Sequence, residues 1–246
     1  MTLKRTFAAT TALVLCVSAS FARQETMPIS ANAQFVSWYG GLPTVPRDGS
    51  TLLYEQSASS GFSTYAVSDW FVWGSAPSCN GCYSAMAADD FILPGTGRYK
   101  ITAVYAPGAI LSGTEPSQIY VAFYDALKYS RKTGKTTIAL KGACFTTSYS
   151  DTSGHGNFTV DVSSCKLGRF RGGHDYSVGV QPWFYSNGKW AWQTNRNQIN
   201  RQAFFLGPGG TGPCNWYFRP VKICFPGSGY GPDLAFAIYG RSAQPR

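Results

Sequence analysis

The stretch Phe158-Thr159-Val160-Asp161-Val162-Ser163 sets apolar side chains against polar ones with a period of two. A strand points successive side chains to opposite faces, so this segment predicts a half-buried β-strand rather than a helical turn. The same beat recurs along the chain. Tyr99, Ile101, Ala103 and Tyr105 alternate with Lys100, Thr102 and Val104, and Ile119, Val121 and Phe123 alternate with Tyr120, Ala122 and Tyr124. Tyr176, Val178 and Val180 follow, then Trp190 and Trp192, then Phe204 and Leu206. The last run puts Leu234, Phe236 and Ile238 on one face and Ala235, Ala237 and Tyr239 on the other.

Turn clusters such as Pro94-Gly95, Pro107-Gly108, Gly172-Gly173 and Gly207-Pro208-Gly209-Gly210 separate these runs. Asn187-Gly188, with aromatics on both sides, has the pattern of a two-residue hairpin turn. No window sustains a 3.6-residue period. The expected fold is therefore all-β, an antiparallel β-sandwich of jelly-roll type. It is read as one domain over residues 52–240, after an irregular Pro- and Gly-punctuated lead-in at 23–51 and before a polar tail at 241–246. Composition agrees. Of 246 residues, 13% are charged and 15% aromatic, with 27 Gly and 14 Pro, which excludes coiled coils, long helical arrays and charge-rich disorder.

The first residues predict export. Lys4 and Arg5 precede a short apolar stretch from Phe7 to Ala19, which as a helix would span only ~20 Å of a ~30 Å hydrocarbon core. A cleaved signal at 1–22, ending in Ser20-Phe21-Ala22, is expected, with Ala31-Asn32-Ala33 as the alternative exit after residue 33. No other apolar run is long enough to span a membrane, so the mature chain is expected to be secreted or periplasmic.

Cys16 lies in the signal and leaves Cys79, Cys82, Cys144, Cys165, Cys214 and Cys224. In an oxidising compartment an even set reads as disulfides, and the local pairs Cys79–Cys82, Cys144–Cys165 and Cys214–Cys224 are expected. Zinc would need further ligands, and the chain has only two His.

Four patterns then occur in order: Ala87-Ala-Asp-Asp-Phe91, the Gly173–Val180 strand, Trp190-Ala-Trp192, and Pro232-Asp-Leu-Ala-Phe-Ala-Ile-Tyr-Gly240. Together they resemble an uncharacterised group of exported bacterial β-sandwich modules of jelly-roll type, over roughly residues 85–240. The resemblance implies the fold and carries no catalytic residue or ligand.

Two constellations are candidate sites. Asp89 and Asp90 are adjacent and point to opposite faces of a strand; either meets Asp233 if the first and last strands of the sandwich lie side by side. Carboxylates gathered at a sandwich end suit Ca²⁺, the one cofactor the sequence suggests; alternatively, these aspartates cap turns through backbone N–H groups. Trp190 and Trp192 share one face of their strand, with Trp183 expected near by. Facing outward, they form a platform for sugar rings, with Gln193, Asn195 and Arg196 supplying directed hydrogen bonds; facing inward, they fill the core.

The formal charge of +9 includes a loose cluster of Lys128, Arg131, Lys132, Lys135 and Lys141. Outside the cell such a field draws anionic polymers, and export leaves no role for specific nucleic acid. The functional expectation is a non-catalytic binding module for glycan or an anionic cell-surface polymer. The alternatives are a structural or adhesive extracellular protein, and a secreted hydrolase built on His174 with an unseen carboxylate. No Gly-x-Ser-x-Gly occurs, and His155 and His174 both sit in glycine-rich turns.

Overall fold

The computed structural model describes residues 49–57, 65–67, 70–71, 85–125, 127–151, 153–185, 188–207, 214, 217–227 and 231–243. The expected signal segment and the Cys79–Cys82 pair lie outside them.

A six-stranded sheet orders β1 (Thr51–Gln56), β19 (Phe236–Ser242), β5 (Arg98–Ala106), β12 (Phe158–Asp161) and β11 (Tyr149–Asp151), with β13 (Phe170–Arg171) also on β5. A seven-stranded sheet orders β10 (Leu140–Thr146), β7 (Gln118–Tyr124), β14 (Asp175–Phe184), β4 (Met86–Ile92), β16 (Phe204–Leu206) and β17 (Arg219–Pro220), with β3 (Trp70–Phe71) against β14. A smaller sheet gathers β18 (Asp233–Leu234), β2 (Tyr65–Val67) and β6 (Gly108–Ser112) around β15 (Lys189–Asn195). β8 (Lys128–Ser130) and β9 (Lys135–Thr137) form a hairpin, and one helical turn, α1 (Val221–Cys224), follows β17. Among the described residues every pairing is antiparallel except β3 with β14.

The chain is thus an antiparallel β-sandwich. Its two large sheets bury one continuous core, contributed by Phe158, Val160, Phe236 and Ile238 from one layer and Ile119, Val121, Phe123, Val178 and Val180 from the other. The alternation that predicts each of these strands is the alternation that fills this core. Phe91 sits at its centre, its ring 5.8–6.4 Å from those of Tyr54, Phe123, Tyr176 and Phe236. Burying such rings against one another is the main stabilising term in a sandwich of this kind.

Both expected disulfides among the described residues are present, Cys144–Cys165 and Cys214–Cys224. The first joins β10 of the seven-stranded sheet to the segment after β12 of the other layer, so it staples the two sheets together.

Two local expectations fail. The run Tyr99, Ile101, Ala103, Tyr105 does not keep one face, because the register between β19 and β5 slips by a residue at Thr102. Ile101 and Val104 both enter the main core, while Ala103 and Tyr105 pack with Ala237 and Tyr239 on the opposite side. A bulge of this type re-aims the side chains that follow it. Asn187 lies outside the described residues, but β14 and β15 on either side of it belong to different sheets, so they do not form the paired hairpin that Asn187-Gly188 predicts.

Candidate functional site

Trp190 and Trp192 are fully buried, which corrects the expectation of an outward platform. Their rings lie 5.8 Å apart, with Phe158 5.6 Å from Trp190 and Phe236 6.3 Å from Trp192. Each indole N–H finds a backbone acceptor: Trp190 Nε1 donates to Gly156 O and Trp192 Nε1 to Ala235 O, both at 2.7 Å. Burial therefore leaves no polar group unpaired, and the apolar area favours the interior. Gly108 makes room, since a Cβ there would fall 2.4 Å from the Trp190 ring. Gln193 and Asn195 are buried too, Asn195 Nδ2 donating to Ser57 O at 2.8 Å, so neither is offered to a ligand. Arg196 is exposed at the strand end.

Asp89 lies within reach of the charges of Asp233 and Asp90, and the Ala87–Phe91 and Pro232–Gly240 segments meet at it. Asp89 points inward: Oδ2 accepts from Gln56 Nε2 and from the Leu234 N–H, both at 2.7 Å, and Oδ1 accepts from the Asp90 N–H at 2.9 Å. Asp90, on the other face of β4, accepts from the Arg201 N–H at 3.1 Å, and Asp233 accepts from the Ile199 N–H at 2.6 Å. Asp89, with both oxygens taken by N–H donors, has little left for a cation, whereas Asp233 Oδ1 is buried without a hydrogen-bond partner among the described residues. Among the described residues no three His, Cys, Asp or Glu side chains are grouped to hold a metal ion. All three acids accept from backbone N–H groups, as the capping alternative expects.

What they anchor is the segment from Asn195 to Ala203. The Asn197 N–H donates to Asn195 Oδ1, Asn200 Nδ2 to the Tyr54 hydroxyl, and the Ala203 N–H to Pro232 O. The Tyr54 hydroxyl donates to Gln56 Oε1, which links the segment to Asp89. Burial raises all three acids. Asp90 and Asp233 are each pushed up to about 6, the Arg201 and Ile199 N–H groups respectively working against the shift. Asp89 is held well above the carboxylate range by burial and then by the charges of Asp233 and Asp90. Tyr54 is also raised, by burial and by the neighbouring Asp89 charge.

Trp183 stands apart from the buried pair. It lies on the outward face of the seven-stranded sheet, directly across from Gln118, and is half-buried. Its ring is 4.7 Å from that of Phe145, which is 4.6 Å from that of Tyr120. Phe145 is 48% exposed, enough to present a ring face to solvent. Tyr120, Phe145 and Trp183 therefore form a row across β7, β10 and β14, one ring per strand. Alternation sets Tyr120 on the face opposite Ile119, Val121 and Phe123, but it does not reveal the row. The available signal was the aromatic-rich second face of Ile119–Tyr124; what joins it to Phe145 and Trp183 is strand order.

His174 lies 3.9 Å from Asp125, both about half-exposed, and its ring rests 4.6 Å from that of Tyr176. This is a solvated pair at a turn, with none of the burial that activates a catalytic base.

No family model and no curated protein matches this chain. Among the described residues no helix is long and apolar enough to cross a membrane.

Proposed function

We propose that this chain is an exported, non-catalytic binding module for glycan or an anionic cell-surface polymer, with the Tyr120–Phe145–Trp183 row as its contact. One observation carries the reading: three touching rings are left part-exposed on an outward sheet face, with the Gln118 side chain beside them. Ring faces of this kind stack on the apolar faces of sugars, and a neighbouring amide orients the hydroxyls. Export is supported by the Lys4-Arg5 signal pattern and by two disulfides, which persist in oxidising compartments. The resemblance to exported sandwich modules points the same way.

The test is retention of the purified protein on a panel of immobilised polysaccharides. Phe145→Ala and Tyr120→Ala are expected to abolish retention while far-UV circular dichroism stays unchanged. Retention on no polysaccharide, or retention indifferent to both substitutions, overturns the reading.

A second reading, a structural or adhesive extracellular protein without a small ligand, is favoured by the burial of Trp190 and Trp192. Under it the polysaccharide panel stays blank while the protein adheres to cell-envelope preparations.

A further inference from the structure

At the other end of β7 from Tyr120, the β8–β9 hairpin and the Asn195–Ala203 segment enclose a shallow cleft of about 320 Å³. Lys128 and Arg131 bring positive charge to it, Arg201 a guanidinium whose charge is offset by Asp175, Tyr129 an aromatic wall, and Gln198 and Gln202 two side-chain amides. We infer that this cleft binds the acidic sugar unit of a carboxylated polysaccharide. The inference rests on the binding-module reading above and adds the charge of the ligand.

Three observations support a built site. First, Arg201 is fixed in place. Its N–H is held by Asp90, its Nη1 donates to Leu127 O at 3.5 Å, and its Nη2 pairs with Asp175. A guanidinium has five N–H donors in a rigid fork, so one anchored in this way keeps donors for a ligand carboxylate. Second, Lys128 and Arg131 are exposed and form no ion pair among the described residues. The hairpin that carries them is set by the Gly134 N–H bond to Ser130 O and by the Thr136 hydroxyl bond to Phe218 O. Third, Gln202 lines the cleft, and its side-chain oxygen is buried with no hydrogen-bond partner among the described residues, an acceptor that a rotation of the amide would offer to a sugar hydroxyl.

The cleft and the ring row lie toward opposite ends of β7. Tyr120 and Tyr124 are four residues apart, which is ~13 Å along a strand. Between the two sites Ala122 and Tyr124 are buried, Tyr124 against the Phe218 ring, so a polymer that reaches both crosses over this packing, stacking at one end and placing an acid group at the other. The volume sits at the small end of ligand clefts and suits one sugar unit rather than a whole oligomer. Carboxylate is favoured over phosphate by the Tyr129 wall and the two amides, which address a ring and its hydroxyls rather than a bare anion.

The test is isothermal titration of the full chain with oligogalacturonate, its methyl ester and inorganic polyphosphate. The free acid is expected to bind about tenfold more tightly than the ester and to weaken as salt rises from about 20 to about 200 mM. Lys128→Gln/Arg131→Gln should weaken acid binding about tenfold, and Lys166→Gln, an exposed cation elsewhere, should not. Equal binding of acid and ester, an equal effect of Lys166→Gln, or tighter binding of polyphosphate overturns the inference. If Phe145→Ala abolishes acid binding and the cleft variant does not, the cleft falls and the ring row stands; the reverse pattern removes the ring row alone.

Discussion

Trp192→Ala tests whether the tryptophan pair is core or contact surface. The side chain is fully buried, its ring meets Trp190 and Phe236, and its N–H is the partner of Ala235 O. Truncating a buried Trp costs ~3–5 kcal/mol, and stranding a buried carbonyl adds ~1–3 kcal/mol. Partial relaxation makes the two less than additive, so ~5 kcal/mol is expected, a large share of a typical stability of ~5–15 kcal/mol. In a domain of this size that lowers the melting temperature by ~10–20 °C. Trp192→Phe keeps most of the apolar area but loses the hydrogen bond, and is expected to cost ~2 kcal/mol. The assay is urea unfolding with disulfides intact, followed by far-UV circular dichroism. The emission difference between wild type and Trp192→Phe isolates this one indole from the other six tryptophans, and it should be blue-shifted and resistant to quencher. A cost under ~1 kcal/mol for Trp192→Ala, or a quenchable difference spectrum, would refute the burial argument.

Acid pH should stabilise the fold. Asp90 and Asp233 titrate near 6 when folded, against an ordinary value of 3.8. Because the folded values are raised, their contribution is fully present below about 3.8 and is lost as pH rises through about 6. The urea midpoint should fall across that window, less so in Asp90→Asn; a flat profile would mean that these carboxylates titrate normally. Removing Cys144–Cys165, which closes a separation of 21 residues, should cost ~3 kcal/mol in equilibrium unfolding; no loss would show that the sheets hold without the staple. Gly108→Ala should be strongly destabilising, because its Cβ meets the buried Trp190 ring at 2.4 Å. Gly179→Ala should be milder despite a 2.3 Å approach, because the Met86 methyl group it meets can swing away. Equal melting temperatures for the two variants would undo this distinction.

Much of the fold was legible because a strand's side chains alternate whatever the strand pairs with. Phe158, Val160 and Val162 face the core as their spacing implied, and so do Leu234, Phe236 and Ile238. Cys144 and Cys165, and Cys214 and Cys224, pair as their closeness along the chain suggested. Asp89 and Asp90 take opposite faces, again from the two-residue period alone.

What alternation cannot say is which face is inside. Trp190 and Trp192 share a face in any strand. That the face is the interior depends on β15 being ringed by β2, β6 and β18, with Gly108 clearing space and Gly156 O and Ala235 O waiting for the indoles. The same holds for the acids, whose meeting was foreseeable but whose N–H donors come from Leu234, Ile199 and Arg201. The bulge at Thr102, the ring row and the basic cleft are likewise products of pairing between segments far apart in the chain. Sequence by itself determined an alternating, cystine-linked all-β chain, because those properties are set by neighbouring residues. Tertiary structure alone decided which rings and charges reach solvent, because exposure is a property of what lies across the gap.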